Sequence, residues 1–148
     1  MGKGGGKLPP PSRIARKPKK RHKKPPSISK LIKTADALFS TRVRRIGAWE
    51  QDGELWNTCF TSGYKAPIRK FHCGHYLSRW YKSARWDFDN ARPQTMPENI
   101  FKKGNPIAFR ENLVKEIGEK RVKAVEAKRN EHVKLTREYL TDLIEKLK

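Results

Sequence analysis

Charge and apolar surface are segregated along this chain, and the segregation limits what can fold. Residues 1 to 26 hold ten Lys or Arg, six prolines and no acidic residue, around the block Lys17-Pro18-Lys19-Lys20-Arg21-His22-Lys23-Lys24. Such a segment has almost nothing to bury, and its prolines block regular helix, so residues 1–28 are expected to form a disordered polybasic arm in isolation. One ordinary core must then come from residues 29–148. The arm carries half of a formal net charge of +20. Two readings stand for it: a solubilising terminus, or an arm that grips a nucleic-acid backbone through Lys17, Lys19, Lys20, Arg21, Lys23 and Lys24. A dense block of one sign favours the second. Similar strings also act as import signals or thread into RNA-rich assemblies, so the arm specifies a polyanion and nothing sharper.

Across the whole chain 35 Lys and Arg face 15 Asp and Glu, far beyond what solubility needs. DNA and RNA are the expected partners, because counterion release would drive either interaction, and charge alone does not separate them. A lipid surface is the weakest candidate. There is no apolar run of about 18 residues, and Met1 to Pro11 lacks the apolar segment of a secretory signal. A soluble, intracellular protein is expected.

From Ser29 a helical period begins, with Leu31, Ile32, Ala35, Leu38 and Phe39 on one face; Ser29 is the expected N-cap and Gly47 the stop. Residues 49 to 76 read as irregular or β, with a turn at Asp52-Gly53, a strand over 54–58 and a second turn at Ser62-Gly63. Between Leu77 and Trp86 cations and aromatics interleave: Arg79, Trp80, Tyr81, Lys82, Arg85 and Trp86. They suit phosphate clamping and base stacking, and equally a core with solvated neighbours. The last third is helical, opening at Asn105-Pro106 and punctuated by Gly118. Residues 119–148 fit one long helix or two.

Cys59 and Cys73 are the only cysteines, too few for a four-thiolate zinc site. His72-Cys73-Gly74-His75-Tyr76, Asp89-Asn90 and Asn99 form the constellation with most chemical content. Imidazole is a base near neutrality, and Asn or Asp oxygen suits Mg2+ or Mn2+. The spacing alone is weak evidence.

In order, the chain also reads Cys59-Phe60-Thr61-Ser62-Gly63, Gly74-His75-Tyr76, Arg85-Trp86-Asp87-Phe88-Asp89-Asn90, Gln94-Thr95-Met96-Pro97-Glu98-Asn99 and Lys103-Gly104-Asn105, then a helix leading to Gly118 and Val122. This series resembles the phage NinG/Rap recombination proteins, a branch of the HNH endonuclease superfamily. The resemblance implies an α+β fold with a small HNH-like ββα-metal core, flanked by N- and C-terminal helices, over 29–148. It implies a structure-directed DNA endonuclease acting on branched recombination intermediates in the host cytoplasm. His75 would activate water, Asn90 would fix the histidine-bearing hairpin, and His72, Asn99 and Asp89 would hold Mg2+ or Mn2+. Arg79, Lys82 and Arg85 would position the backbone.

The chain departs from the pattern at its structural zinc. Of four knuckle cysteines Cys59 alone remains, with Ser62, Thr95 and Glu98 at the other positions. Hydroxyls are poor zinc ligands, so no structural zinc is expected, and folding free energy on the order of 10 kcal/mol must come from elsewhere. A hybrid site drawing on Cys59, Cys73 and His72 is the remaining alternative. The rival functional reading is a non-catalytic nucleic-acid-binding or assembly protein on a degenerate HNH fold.

Overall fold

The computed structural model describes residues 1–2 and 24–148, which form an α+β architecture. Most of the arm lies outside the described residues, together with Lys17, Lys19, Lys20, Arg21 and Lys23; Lys24 is described and exposed. Helix α1 (Ile28–Arg44) is capped by Ser27, whose hydroxyl accepts from the Lys30 N–H at 3.2 Å. Ser29, the cap expected from sequence, lies inside the helix. The earlier start lets Ile28 join the stripe of Leu31, Ala35, Phe39 and Val43 against the core.

Three short antiparallel strands follow in the order β1 (Trp49–Gln51), β2 (Glu54–Thr58) and β3 (Lys65–Pro67). Asp52 and Gly53, with φ of 52° and 74°, close β1 onto β2 in the left-handed geometry that an Asp-Gly pair supports. Buried Asn57 ties this sheet to the end of α1, donating to the carbonyls of Arg44 at 2.7 Å and Ile46 at 2.9 Å.

A second sheet pairs β4 (Phe71–His75) with β5 (Ala91–Thr95), Phe71 opposite Thr95 and His75 opposite Ala91. Strand β5 is buried along its length, and α1 packs over both strands. At Gly74 the strands leave no room for a side chain: a Cβ there would fall 2.1 Å from Gln94 Oε1. From Tyr76 to Asn90 the chain makes a long excursion between these strands.

A π-helix (Pro97–Phe101) and a turn through Lys103 and Gly104 lead to α2 (Pro106–Ile117). Asn105 precedes α2 as expected but does not cap it; with φ at 47° its side chain donates to Glu98 instead. Gly118, at φ 84°, separates α2 from α3 (Glu119–Ala127). The polar stretch beyond is a break, and α4 (Arg137–Leu147) starts afresh at Thr136, whose hydroxyl accepts from the Tyr139 N–H at 3.2 Å. Residues 119–148 therefore hold two α-helices, of which α4 is capped by Thr136 without the acidic partner of a capping box and α3 has no side-chain cap.

The main apolar cluster joins α1 to Leu140, Ile144 and Leu147 of α4, with Trp86 and Ala91. A second joins Phe109 and Leu113 of α2 to Val122 of α3. Each large side chain fully buried in this way stabilises the fold by about 1.5–3 kcal/mol. Among the described residues no helix is long and apolar enough to cross a membrane.

Candidate functional site

Strand β4 delivers His72 and His75, and the π-helix delivers Asn99, to the wall of one cavity of about 680 Å3. Arg44 and Asp36 of α1, Arg79 of the excursion and Lys103 of the turn after the π-helix complete its polar lining. Residues far apart in sequence meet here because α1 lies across the β4–β5 pair.

His75 is oriented from one side. Its Nε2 lies 3.0 Å from the carbonyl oxygen of Arg85. A carbonyl only accepts, so Nε2 carries the proton and Nδ1 keeps its lone pair. Nδ1 faces Cys73, whose sulfur lies 3.9 Å away and whose backbone also bonds the ring. Burial lowers the His75 pKa from its ordinary 6.5, outweighing the carbonyl bond, which acts to raise it. The ring is therefore neutral at pH 7 and available as a base. Burial also pushes the Cys73 thiol up to about 12, which keeps it protonated at neutral pH. Cys73 packs against the α1–α4 cluster, whereas Cys59 clusters with Ala66 and Phe71. The structure does not bring together the hybrid trio of Cys59, Cys73 and His72.

The Asn99 amide lies 3.4 Å from His72 Nδ1. An imidazole nitrogen and an amide oxygen are ligand types that a divalent ion can take, and here it is the amide nitrogen that faces the ring. Among the described residues no cluster of three or more His, Cys, Asp and Glu is placed to hold an ion. Asp36 is the carboxylate on this cavity, and both of its oxygens are occupied: Arg85 donates to them at 3.0 and 2.6 Å and the Trp86 indole at 2.9 Å.

The remaining sequence candidates divide. Asn90, fully buried, accepts from the Leu77 N–H at 2.7 Å and donates to the carbonyls of Leu77 at 3.0 Å and Ala84 at 2.9 Å. It thereby closes the neck of the excursion that follows His75. Asp89 pairs with Arg121 at 2.5 Å and lines a different depression, with Lys128 and Tyr139. Arg85 is committed to Asp36, while Arg79 and Lys82 are exposed and take part in no ion pair among the described residues. Arg44 and Lys103 were not singled out from sequence. Arg44 looks there like a dipole-compensating cation at a helix end, and Lys103 like one of many surface lysines. Both face the cavity without a carboxylate partner among the described residues.

Cys59, Ser62, Thr95 and Glu98 meet on a hydrogen-bonded knot. The Cys59 sulfur accepts from the Thr95 N–H at 3.4 Å and the Thr95 hydroxyl at 3.5 Å. Burial raises its pKa, but bonds from Ser62 and Thr95 together outweigh burial and bring it down to about 7. Thr61, beside that sulfur, donates to Glu98 at 2.9 Å, and Lys102 and Asn105 donate to the same carboxylate at 2.7 and 2.9 Å. Gln94 donates to Thr61 at 3.0 Å and to the Gly104 carbonyl at 2.9 Å, extending the knot to the cavity rim. Phe71 packs beside Cys59, and Phe60 packs against Phe109.

A family model described as Bacteriophage Lambda NinG protein matches residues 11–148. No curated protein matches, and no solved structure does.

Proposed function

Because the chain belongs to the NinG family, we propose that it is a structure-directed endonuclease that hydrolyses phosphodiesters in branched DNA intermediates of recombination. On this reading β4, β5 and the π-helix make an HNH-like ββα core, with the polybasic arm of residues 1–28 as an accessory grip. The observation that carries it is one cavity holding a neutral, oriented imidazole, the His72–Asn99 pair and three cations without carboxylate partners among the described residues.

Arg44, Arg79 and Lys103 draw a backbone phosphate into the cavity, where lowered dielectric strengthens each contact. His75 Nδ1 takes a proton from the attacking water. The Arg85 carbonyl holds the ring in place and favours the imidazolium as it forms, offsetting part of the cost of charging a buried group. Asn90 keeps that carbonyl in position by fixing the neighbouring backbone at Ala84. A Mg2+ or Mn2+ ion held by His72 and Asn99 would stabilise charge on the phosphate. Lys82 and the arm lysines extend the grip beyond the scissile bond.

The test is cleavage of a four-way junction with Mg2+ or Mn2+. His75→Ala is expected to lower the rate about 100-fold or more, as loss of a general base does. Undiminished cutting by His75→Ala, or none by the unaltered protein, would remove the enzymatic reading. The occupied oxygens of Asp36 favour a second reading, a nucleic-acid-binding or assembly protein without turnover. That reading expects salt-sensitive binding that survives His75→Ala, and metal-dependent cleavage would sink it.

A further inference from the structure

Nothing in the catalytic reading uses the most exposed aromatic side chain near the cavity. Trp80 is 89 % exposed, although an indole of that size ordinarily covers apolar surface. Its neighbours are Ser78, Arg79, Tyr81, Lys82 and Ser83, so an apolar protein surface would have to desolvate two cations to reach it. A polyanion would not.

The loop presenting Trp80 is held at several points. Asn90 closes its neck, Ser83 donates to the Lys128 carbonyl at 2.6 Å, and the Arg85 guanidinium is fixed by Asp36 and reaches the Arg79 carbonyl at 3.4 Å. Tight turns within it are closed by the N–H groups of Tyr81 and Ala84, each 3.0 Å from its carbonyl partner. An ordered loop that displays an indole to solvent pre-pays the entropy of placing a flat apolar face in one position. The residue before it, Arg79, lines the cavity. Consecutive Cα atoms lie about 3.8 Å apart, so adjoining nucleotides of one strand can reach both residues.

We propose that Trp80 is a stacking platform for an unpaired DNA base, taken from a nucleotide adjoining the phosphate gripped by Arg79. A base inside continuous duplex has both faces covered by its neighbours, whereas a base at a branch, flap or gap offers a free face. Trp80 thus reads strand discontinuity, a property that the cations cannot sense because phosphates carry the same charge in either setting. This assignment rests on the nucleic-acid reading of the cavity but not on catalysis.

The test uses full-length protein in chelator, so that no cleavage intrudes, with two DNAs of equal charge: a continuous duplex and a duplex with a short single-stranded flap containing 2-aminopurine. The unaltered protein is expected to prefer the flap and to quench its 2-aminopurine. Trp80→Ala is expected to lose about 10-fold of flap affinity, the scale of one base–aromatic stack, with duplex affinity unchanged. Trp80→Phe should recover most of the loss. The side chain is exposed, so an unchanged melting temperature verifies that the fold is intact. Equal affinity of the unaltered protein for both DNAs, an unchanged preference in Trp80→Ala, or a matching loss on both DNAs would overturn the assignment; so would absence of DNA binding. Junction cleavage, run separately with Mn2+, distinguishes the two readings. Cleavage with an unchanged Trp80→Ala preference removes the stacking role alone. Lost preference without any cleavage supports stacking and removes catalysis alone.

Discussion

On the catalytic reading His75 and Asn90 divide the work of one hairpin, the first as the base and the second as the residue that fixes the backbone beside it. Because burial sets the His75 pKa below 6.5, the catalytic reading expects a cleavage rate that is flat above about pH 6.5 and falls as protonation sets in below it. Stability follows the same sign. Between the lowered native pKa and the ordinary one the unfolded chain binds more protons, so stability is complete above pH 6.5 and declines as pH falls through the native value. His75→Gln is expected to remove that part of the slope, read from urea midpoints between about pH 7.5 and 5. Histidine and asparagine were legible as candidates because their chemistry and their order in the chain resemble a nuclease motif. Arg44 and Lys103 were not, since a cation's role depends on what lies across from it, which only the packing of α1 on β4 and β5 supplies. Asp89 had the right chemistry, but Arg121 from α3 claims its carboxylate.

Elements were read most securely where a residue type forces a local geometry: the Asp52-Gly53 turn, the strand over 54–58, the stop at Gly118. The knot around Glu98 had no such signature, because its donors Thr61, Lys102 and Asn105 are ordinary residues until the chain folds back on itself. It joins the turn after β2, the end of β5, the π-helix and the start of α2. Glu98 is 3 % exposed, so its replacement leaves Thr61 and Asn105 short of an acceptor, while the exposed Lys102 can turn to water. Glu98→Ala is expected to cost about 2–3 kcal/mol, seen as a lower denaturant midpoint at unchanged slope, and Glu98→Gln less. A stability loss within about 0.5 kcal/mol for Glu98→Ala would mean that the knot does not hold these elements together.

For the whole molecule the governing quantity is a formal charge of +20, half of it before residue 27. If the arm and the cavity rim together neutralise about six or more phosphates, the logarithm of DNA affinity should fall against the logarithm of salt with a slope of about −5 or steeper. Starting the chain at Ser27 should bring that slope to roughly half. A slope unaffected by the truncation would assign the arm to some other task. The excursion between β4 and β5 that carries Trp80 stands on a closed neck. With Leu77 and Ala84 fastened through Asn90, the residues at the tip bear almost none of the load of folding. On the nucleic-acid reading, exchanging the aromatic or the cations at such a tip would alter the preferred strand architecture and leave the packing beneath it intact.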